Sequence, residues 1–182
     1  MATACSYNCV TLSNHDKIQC GAFPKGGISS LAILECDHTI TDFTNATQWQ
    51  DAIDADQATL IEPIKGIIPE FTEVTGPNVT ACGSETILDG FDGTMTWMDY
   101  NVNTSNDNFY NELNQRQNFL VWYECETDKI RVVQLVVSFI AKLNTPESNK
   151  EKQFYQLTAQ WSTGTDDGIP PLFNAPSGIF SQ

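Results

Sequence analysis

Residues 130–143 read IRVVQLVVSFIAKL. At the period of a β-strand, Val133, Leu135, Val137, Phe139, Ala141 and Leu143 make one continuous apolar face. Ile130, Val132, Val136 and Ile140 put apolar groups on the opposite face too, among Gln134, Ser138 and Lys142. A strand apolar on both sides needs cover on both sides. One cover is the domain's own core; the other has to be a second sheet, a helix or a neighbouring subunit.

The flanking segments place this strand in the middle of a meander. Asn118 to Glu126 precedes it across Thr127-Asp128-Lys129, a connection of hairpin length, and Glu151 to Thr163 follows it across a loop containing Pro146. In the last of these, Tyr155, Leu157, Ala159 and Trp161 share one face against Lys152, Gln156, Thr158 and Gln160, the alternation of a half-buried strand. An antiparallel arrangement over 118–163 follows.

Upstream the pattern is again mostly β. Ile28 to Ile40 reads as a strand, 59–68 as strand interrupted by Pro63 and Gly66, and Phe71 to Thr80 as an edge strand. Thr86 to Leu88 and Thr94 to Tyr100 are expected to pair around Asp89-Gly90-Phe91-Asp92-Gly93, read as a turn. Two helices interrupt the strands. The first, capped by Thr44 or Asn45, spaces Trp49, Ala52, Ile53 and Asp56 at helical intervals and reads as short, acidic and exposed. The second runs Asp107 to Gln117 with Phe109, Tyr110 and Leu113 on one side, suited to lie on a sheet over Val132, Val136 and Ile140.

The expected architecture is therefore mainly β: an antiparallel β-sandwich or roll with one or two short helices, in a single domain spanning 1–182. Residues 1–27, ending in Phe23-Pro24-Lys25-Gly26-Gly27, form an N-terminal arm, 28–163 the core and 164–182 a C-terminal arm. The C-terminal arm is rich in Pro and Gly, which argues against regular structure. It also carries Ile169, Leu172, Phe173 and Phe180, too apolar a set for a free linker. Such an arm docks on a neighbour or packs back on its own subunit. Val132, Val136, Ile140, Ile169, Leu172, Phe173 and Phe180 are accordingly the candidate interface residues.

Composition excludes several classes. Hydrophobic residues make up 41% and aromatics 10%, so the chain folds in spite of a net charge of −14. With 23 Asp and Glu scattered against 9 Lys and Arg, it lacks the clustered cations that phosphate contact requires, and sequence-specific nucleic-acid binding is not expected. An acidic surface facing DNA repels it, which is of use only where DNA slides past. No apolar run approaches the roughly 20 residues of a membrane helix. MATACSYNCV has neither a basic start nor an apolar segment after it, so synthesis in the cytoplasm is expected.

Chemistry-bearing motifs are few. The six cysteines, Cys5, Cys9, Cys20, Cys36, Cys82 and Cys125, are open to three readings: buried or loop thiols, an oxidised pair, or a zinc site drawing on Cys5, Cys9, Cys20, His15, Cys36 and His38. The spacing lacks the tight ligand pairs of a zinc knuckle, and the first reading is preferred. Neither Cys36 nor His38 forms a recognisable nucleophile and base pair. Asp89, Asp92 and Asp99 lack the ligand spacing and terminal Glu of a calcium loop. Lys25-Gly26-Gly27 lacks the glycine spacing of a phosphate loop. The tryptophans Trp49, Trp97, Trp122 and Trp161 suit a core or interface; a sugar platform at Trp97 or Trp122 is the alternative. No catalytic, cofactor or metal residue is assigned.

The stretch TMTWMDYNVNTSNDNFYNELNQRQNFLVWYEC, residues 94–125, with the long strand after it and QLTAQWS at 156–162, resembles small β-rich virion proteins of tailed bacteriophages, especially the crAss-like group and others infecting Bacteroides-type hosts. The likeness covers about 26–163 in element order and contains no site motif. It implies an auxiliary or decoration subunit of a capsid, a head-fibre anchor, or a tail tube or ring subunit. Such a chain resides in the virion, partners other virion proteins and its own copies, and catalyses nothing. A carbohydrate-binding or adhesin-like β-sandwich is the alternative.

Overall fold

A computed structural model describes residues 28–67, 69–80, 83–114, 117–124, 127–147, 152–164 and 169–180. The N-terminal arm, with Cys5, Cys9, His15, Cys20 and Lys25-Gly26-Gly27, lies outside the described residues, as do Cys82 and Cys125. The pairing and zinc alternatives for the cysteines therefore fall outside them as well.

The chain is mainly β, with two short helices, in the order β1 (Ile28–Leu34), α1 (Ala46–Asp54), β2 (Ala58–Ile61), β3 (Lys65–Gly66), β4 (Glu70–Thr80), β5 (Gly83–Asp99), α2 (Thr104–Leu113), β6 (Gln117–Glu124), β7 (Lys129–Asn144), β8 (Phe154–Thr163) and β9 (Leu172–Asn174). All pairings are antiparallel. The strands run β2-β1-β3-β5-β8-β7-β6, and β6 returns to the free side of β1, with Leu31 opposite Trp122 and Leu34 opposite Phe119. That last pairing closes the sheet into a roll. β2 and β3 act as one strand broken at Pro63, whose peptide bond with Glu62 is cis, so the same edge of β1 meets first β2 and then β3.

The meander anticipated over 118–163 is present as β6, β7 and β8, and β4 is the edge strand anticipated over 71–80. Both helices start where side-chain caps allow. The Asn45 side chain accepts from the N–H groups of Thr47 and Gln48, and that of Asn103 accepts from Asn106, each satisfying N–H groups that have no partner inside the helix. The second helix therefore begins and ends earlier than the expected 107–117.

Two apolar cores share β7. Inside the roll, Val133, Val137 and Phe139 meet Leu31, Trp97, Leu120, Trp122, Leu157 and Trp161, together with Phe109, Tyr110 and Leu113 of α2. Outside it, Ile130 and Val132 meet Ala32, Leu34, Val121 and Tyr123, covered by Trp49 and Ala52 of α1 and by Ile179 and Phe180.

Four expectations are corrected here. First, α1 is not an exposed helix: Trp49 and Ala52 are both 0% exposed, because they seal the second core. Second, α2 lies on the Val133 side of β7 and not on the Val132 side, which α1 and the C-terminal arm already occupy. Third, the C-terminal arm does contain regular structure. Its Leu172–Asn174 adds β9 to residues 129–131 of β7, held further by Val132 N–H to Pro171 O and Ala175 N–H to Asp128 O, both 3.2 Å.

Fourth, Asp89-Gly90-Phe91-Asp92-Gly93 is no turn but the middle of β5, a single strand through 83–99. Its glycines serve close approach instead. A Cβ at Gly93 would enter the indole of Trp161, and one at Gly90, where φ is 158°, would enter the Thr163 carbonyl. A bulge between Val74 and Thr75 in the β4–β5 pairing falls at the same place.

Candidate assembly surfaces

The residues nominated as interface separate into three groups. Val132 is 1% exposed and Phe180 6%, both inside the second core; the ring of Phe180 stands 5.2 Å from Trp49 and 5.9 Å from Tyr123. These two are corrected from interface to core, since the chain covers its own β7 with α1 and its own tail. Phe173 is half-buried against the same core, 5.4 Å from the Phe43 ring. Ile140, Ile169 and Leu172 remain open to solvent at 47%, 71% and 42%. The Val136 side chain lies outside what the structure describes.

The C-terminal arm thus packs back on its own subunit. Arg131 fixes its approach: its Nε donates to Glu124 Oε1 at 2.7 Å and its Nη1 to Pro170 O at 3.1 Å. Lys129, two residues before Arg131 on the same strand and opposite Asn174, donates from Nζ to Asn174 Oδ1 at 3.1 Å.

A buried polar cluster anchors α2 at the end of β5. The Tyr110 hydroxyl donates to Asp99 Oδ2 at 2.7 Å, and the Asn101 N–H to Asp99 Oδ1 at 2.8 Å; Asp99 is 1% exposed. Tyr155 donates to Asp107 Oδ1 at 2.6 Å, and its ring lies tilted against that of Tyr110 with centroids 4.5 Å apart. Burial, then the neighbouring Asp99 carboxylate, pushes the Tyr110 hydroxyl well above its ordinary pKa; burial and Asp107 do the same for Tyr155. Both phenols stay protonated donors at any physiological pH, and the cluster works as a clamp between α2, β5 and β8.

His38 sits half-buried between Phe43 and Phe119, edge-on to the latter at 5.4 Å, and burial lowers its pKa. Cys36 occupies the turn before it. Asp92 accepts from the Ser162 hydroxyl at 2.6 Å, while Asp99 is committed to Tyr110, so these two aspartates serve the sheet and the clamp. Among the described residues no three His, Cys, Asp or Glu side chains stand together as a metal site. Trp97 and Trp122 are each 1% exposed, so neither forms a surface platform for a sugar; all four tryptophans are core.

Two surfaces are left without cover by the described chain. One is the β4–β5 ribbon. β8 pairs with β5 only over Phe91–Asp99, so beyond Phe91 the two strands continue alone. Val74 and Leu88 are each 37% exposed there, while Phe71 stands just inside the β8-paired part, opposite Gly93 with its ring 6.1 Å from that of Trp161; within the described sheet β4 pairs only with β5. Residues 81–82 lie outside the described residues.

The other is the outer face of β5, β8 and β7. Register places Thr96, Thr158 and Ile140 in one row, continued by Ile67, whose N–H donates to Thr96 O at 3.0 Å. The next row is Lys65, Met98, Gln156 and Lys142. On the other side of the isoleucine row stand Glu70, Thr94, Gln160 and Ser138. Nothing in the sequence reading singled out Ile67, 60% exposed, or Lys65, because only the strand register brings them beside Ile140.

Comparison with protein-family models, with curated proteins and with solved structures finds no match to this chain. Among the described residues no helix is long and apolar enough to cross a membrane.

Proposed function

We propose that the chain is a structural subunit of a tailed-bacteriophage virion, a capsid auxiliary or decoration protein or a component of the tail tube or ring. It acts by packing against its own copies and other virion subunits, and it catalyses nothing.

The observation that carries this reading is the β4–β5 ribbon. A two-stranded ribbon is marginal in water on its own, and open strand edges with exposed apolar groups are templates for another chain. Val74 and Leu88 on such an arm are accounted for by a neighbour that covers them. The acidic balance of −14 suits a surface that DNA passes without sticking. The resemblance of residues 94–125 and 156–162 to phage virion proteins supplies the particular assembly.

The test is to purify particles from cultures that express the chain and probe them by mass spectrometry and immunogold labelling. The reading expects the protein in the particles at a fixed copy number, and expects Val74→Asp with Leu88→Asp to fold normally yet be left out. Particles without the protein, or full incorporation of the doubly substituted chain, overturn it.

A further inference from the structure

We propose that the outer face of β5, β8 and β7 takes a second copy of the same face, across a two-fold axis lying along the row Ile67, Thr96, Thr158, Ile140. This deepens the assembly reading above and rests on its self-association half.

The argument is one of register and charge. Thr96 is two residues from Thr94 on one side and two from Met98 on the other, so the rows of Glu70 and Lys65 are equidistant from the isoleucine row. Both residues flank β5 on the same edge, the one opposite β8. A half-turn about the isoleucine row reverses the strand direction and keeps the lateral position. It therefore lays Lys65 over the Glu70 of the other copy, and Glu70 over its Lys65, while Ile67 meets Ile67 and Ile140 meets Ile140. A two-fold interface has to be self-complementary in this way.

Charge selects this face over the rest of the molecule. The chain carries 23 acids and 9 bases, so most surfaces of two copies repel. The rows of Ile67 and Lys65 contain two lysines and no acid. At ordinary ionic strength the remaining acids are screened beyond about 8 Å, which leaves the local Lys65 and Glu70 contacts to decide. Stacked sheets with aligned strands, crossing by about 30°, are the standard packing for two such faces. Ile67 at 60% and Ile140 at 47% exposure supply the apolar contact along the axis.

The test is sedimentation equilibrium of the whole chain at near-physiological salt, with charge exchange. Wild type is expected to be a dimer. Lys65→Glu and Glu70→Lys each place two like-charge contacts across the axis and are expected to weaken dimerisation by about tenfold. An equimolar mixture of the two variants, and the double variant K65E/E70K, both regain opposite charges and are expected to recover wild-type affinity. Circular dichroism establishes that each variant is folded. A monomeric wild type, single variants that dimerise as wild type does, or failure of both the mixture and the double variant to recover overturns the proposal. Presence of the protein in particles with any of these results leaves the virion reading standing and removes only this interface.

Discussion

Val132 and Val133 are consecutive residues of β7 that are buried in two different cores, the first under α1 and the C-terminal arm, the second inside the roll with α2. Their exposures, 1% and 2%, are nearly the same although they belong to separate clusters of buried side chains on the two faces of the sheet. One strand thus couples two otherwise separate layers. Val132→Ala and Val133→Ala are each expected to destabilise the fold by about 1–3 kcal/mol, from lost burial and the cavity left behind. In urea titrations the double variant should lie near the sum of the singles, because the two side chains fill cavities on opposite faces of the sheet; as the residues are consecutive, a backbone shift common to both would appear as a coupling of more than about 0.5 kcal/mol. A coupling above that size would mean that the two layers respond as one unit through β7.

The C-terminal arm is structural on its own subunit. Phe180→Ala removes a ring stacked on Tyr123 and edge-on to Trp49, and is expected to cost about 3 kcal/mol. Tryptophan emission should shift to the red as Trp49 gains water. Unchanged emission and stability would mean that the arm is not seated as described.

Asp99 is a carboxylate at the end of β5 that water does not reach, satisfied by Tyr110 and by the Asn101 N–H. Tyr110→Phe keeps the ring packing and withdraws one donor from a buried charge, with an expected cost of about 1–3 kcal/mol. Tyr155→Phe, which loses a bond to the half-buried Asp107, should cost less. Equal effects would contradict the placing of Asp99 as the buried member.

His38 gives the fold a pH dependence of stated sign. Burial lowers its pKa in the folded state below the ordinary 6.5, so the unfolded chain takes up the proton first as pH falls. Stability contributed by the neutral ring is present above the unfolded value and is lost as pH drops below it, towards the folded value. Between neutral pH and mildly acidic pH, wild type should therefore lose more stability than His38→Phe, which keeps the contacts with Phe43 and Phe119. The same slope in both would exclude His38 as the source.

Much of this fold is legible in the residues alone. The alternation of Tyr155, Leu157, Ala159 and Trp161, the two-sided run Ile130 to Leu143 and the connection at 127–129 specify β6, β7 and β8, because strand period and turn chemistry act between near neighbours. The caps at Asn45 and Asn103 are local in the same sense, a side chain answering N–H groups two or three residues on.

Where local preference met a distant partner, the partner prevailed. Asp89-Gly90-Phe91-Asp92-Gly93 has the composition of a turn, but its glycines are required by Trp161 and the Thr163 carbonyl, some 70 residues along the chain. The tail at 172–174 has the composition of a coil, but it finds an open edge of β7 beside Arg131.

Strand period alone requires cover on both faces of β7, since apolar side chains occur on both. What supplies it is set by tertiary packing: α2 on the Val133 side, α1 and Phe180 on the Val132 side, with Ile140 left 47% exposed. The physical reason is that a strand's period fixes which way each side chain points. What it meets there depends on the register of segments far apart in the chain, and that same register sets Ile67, Lys65 and Glu70 around Ile140 in one surface.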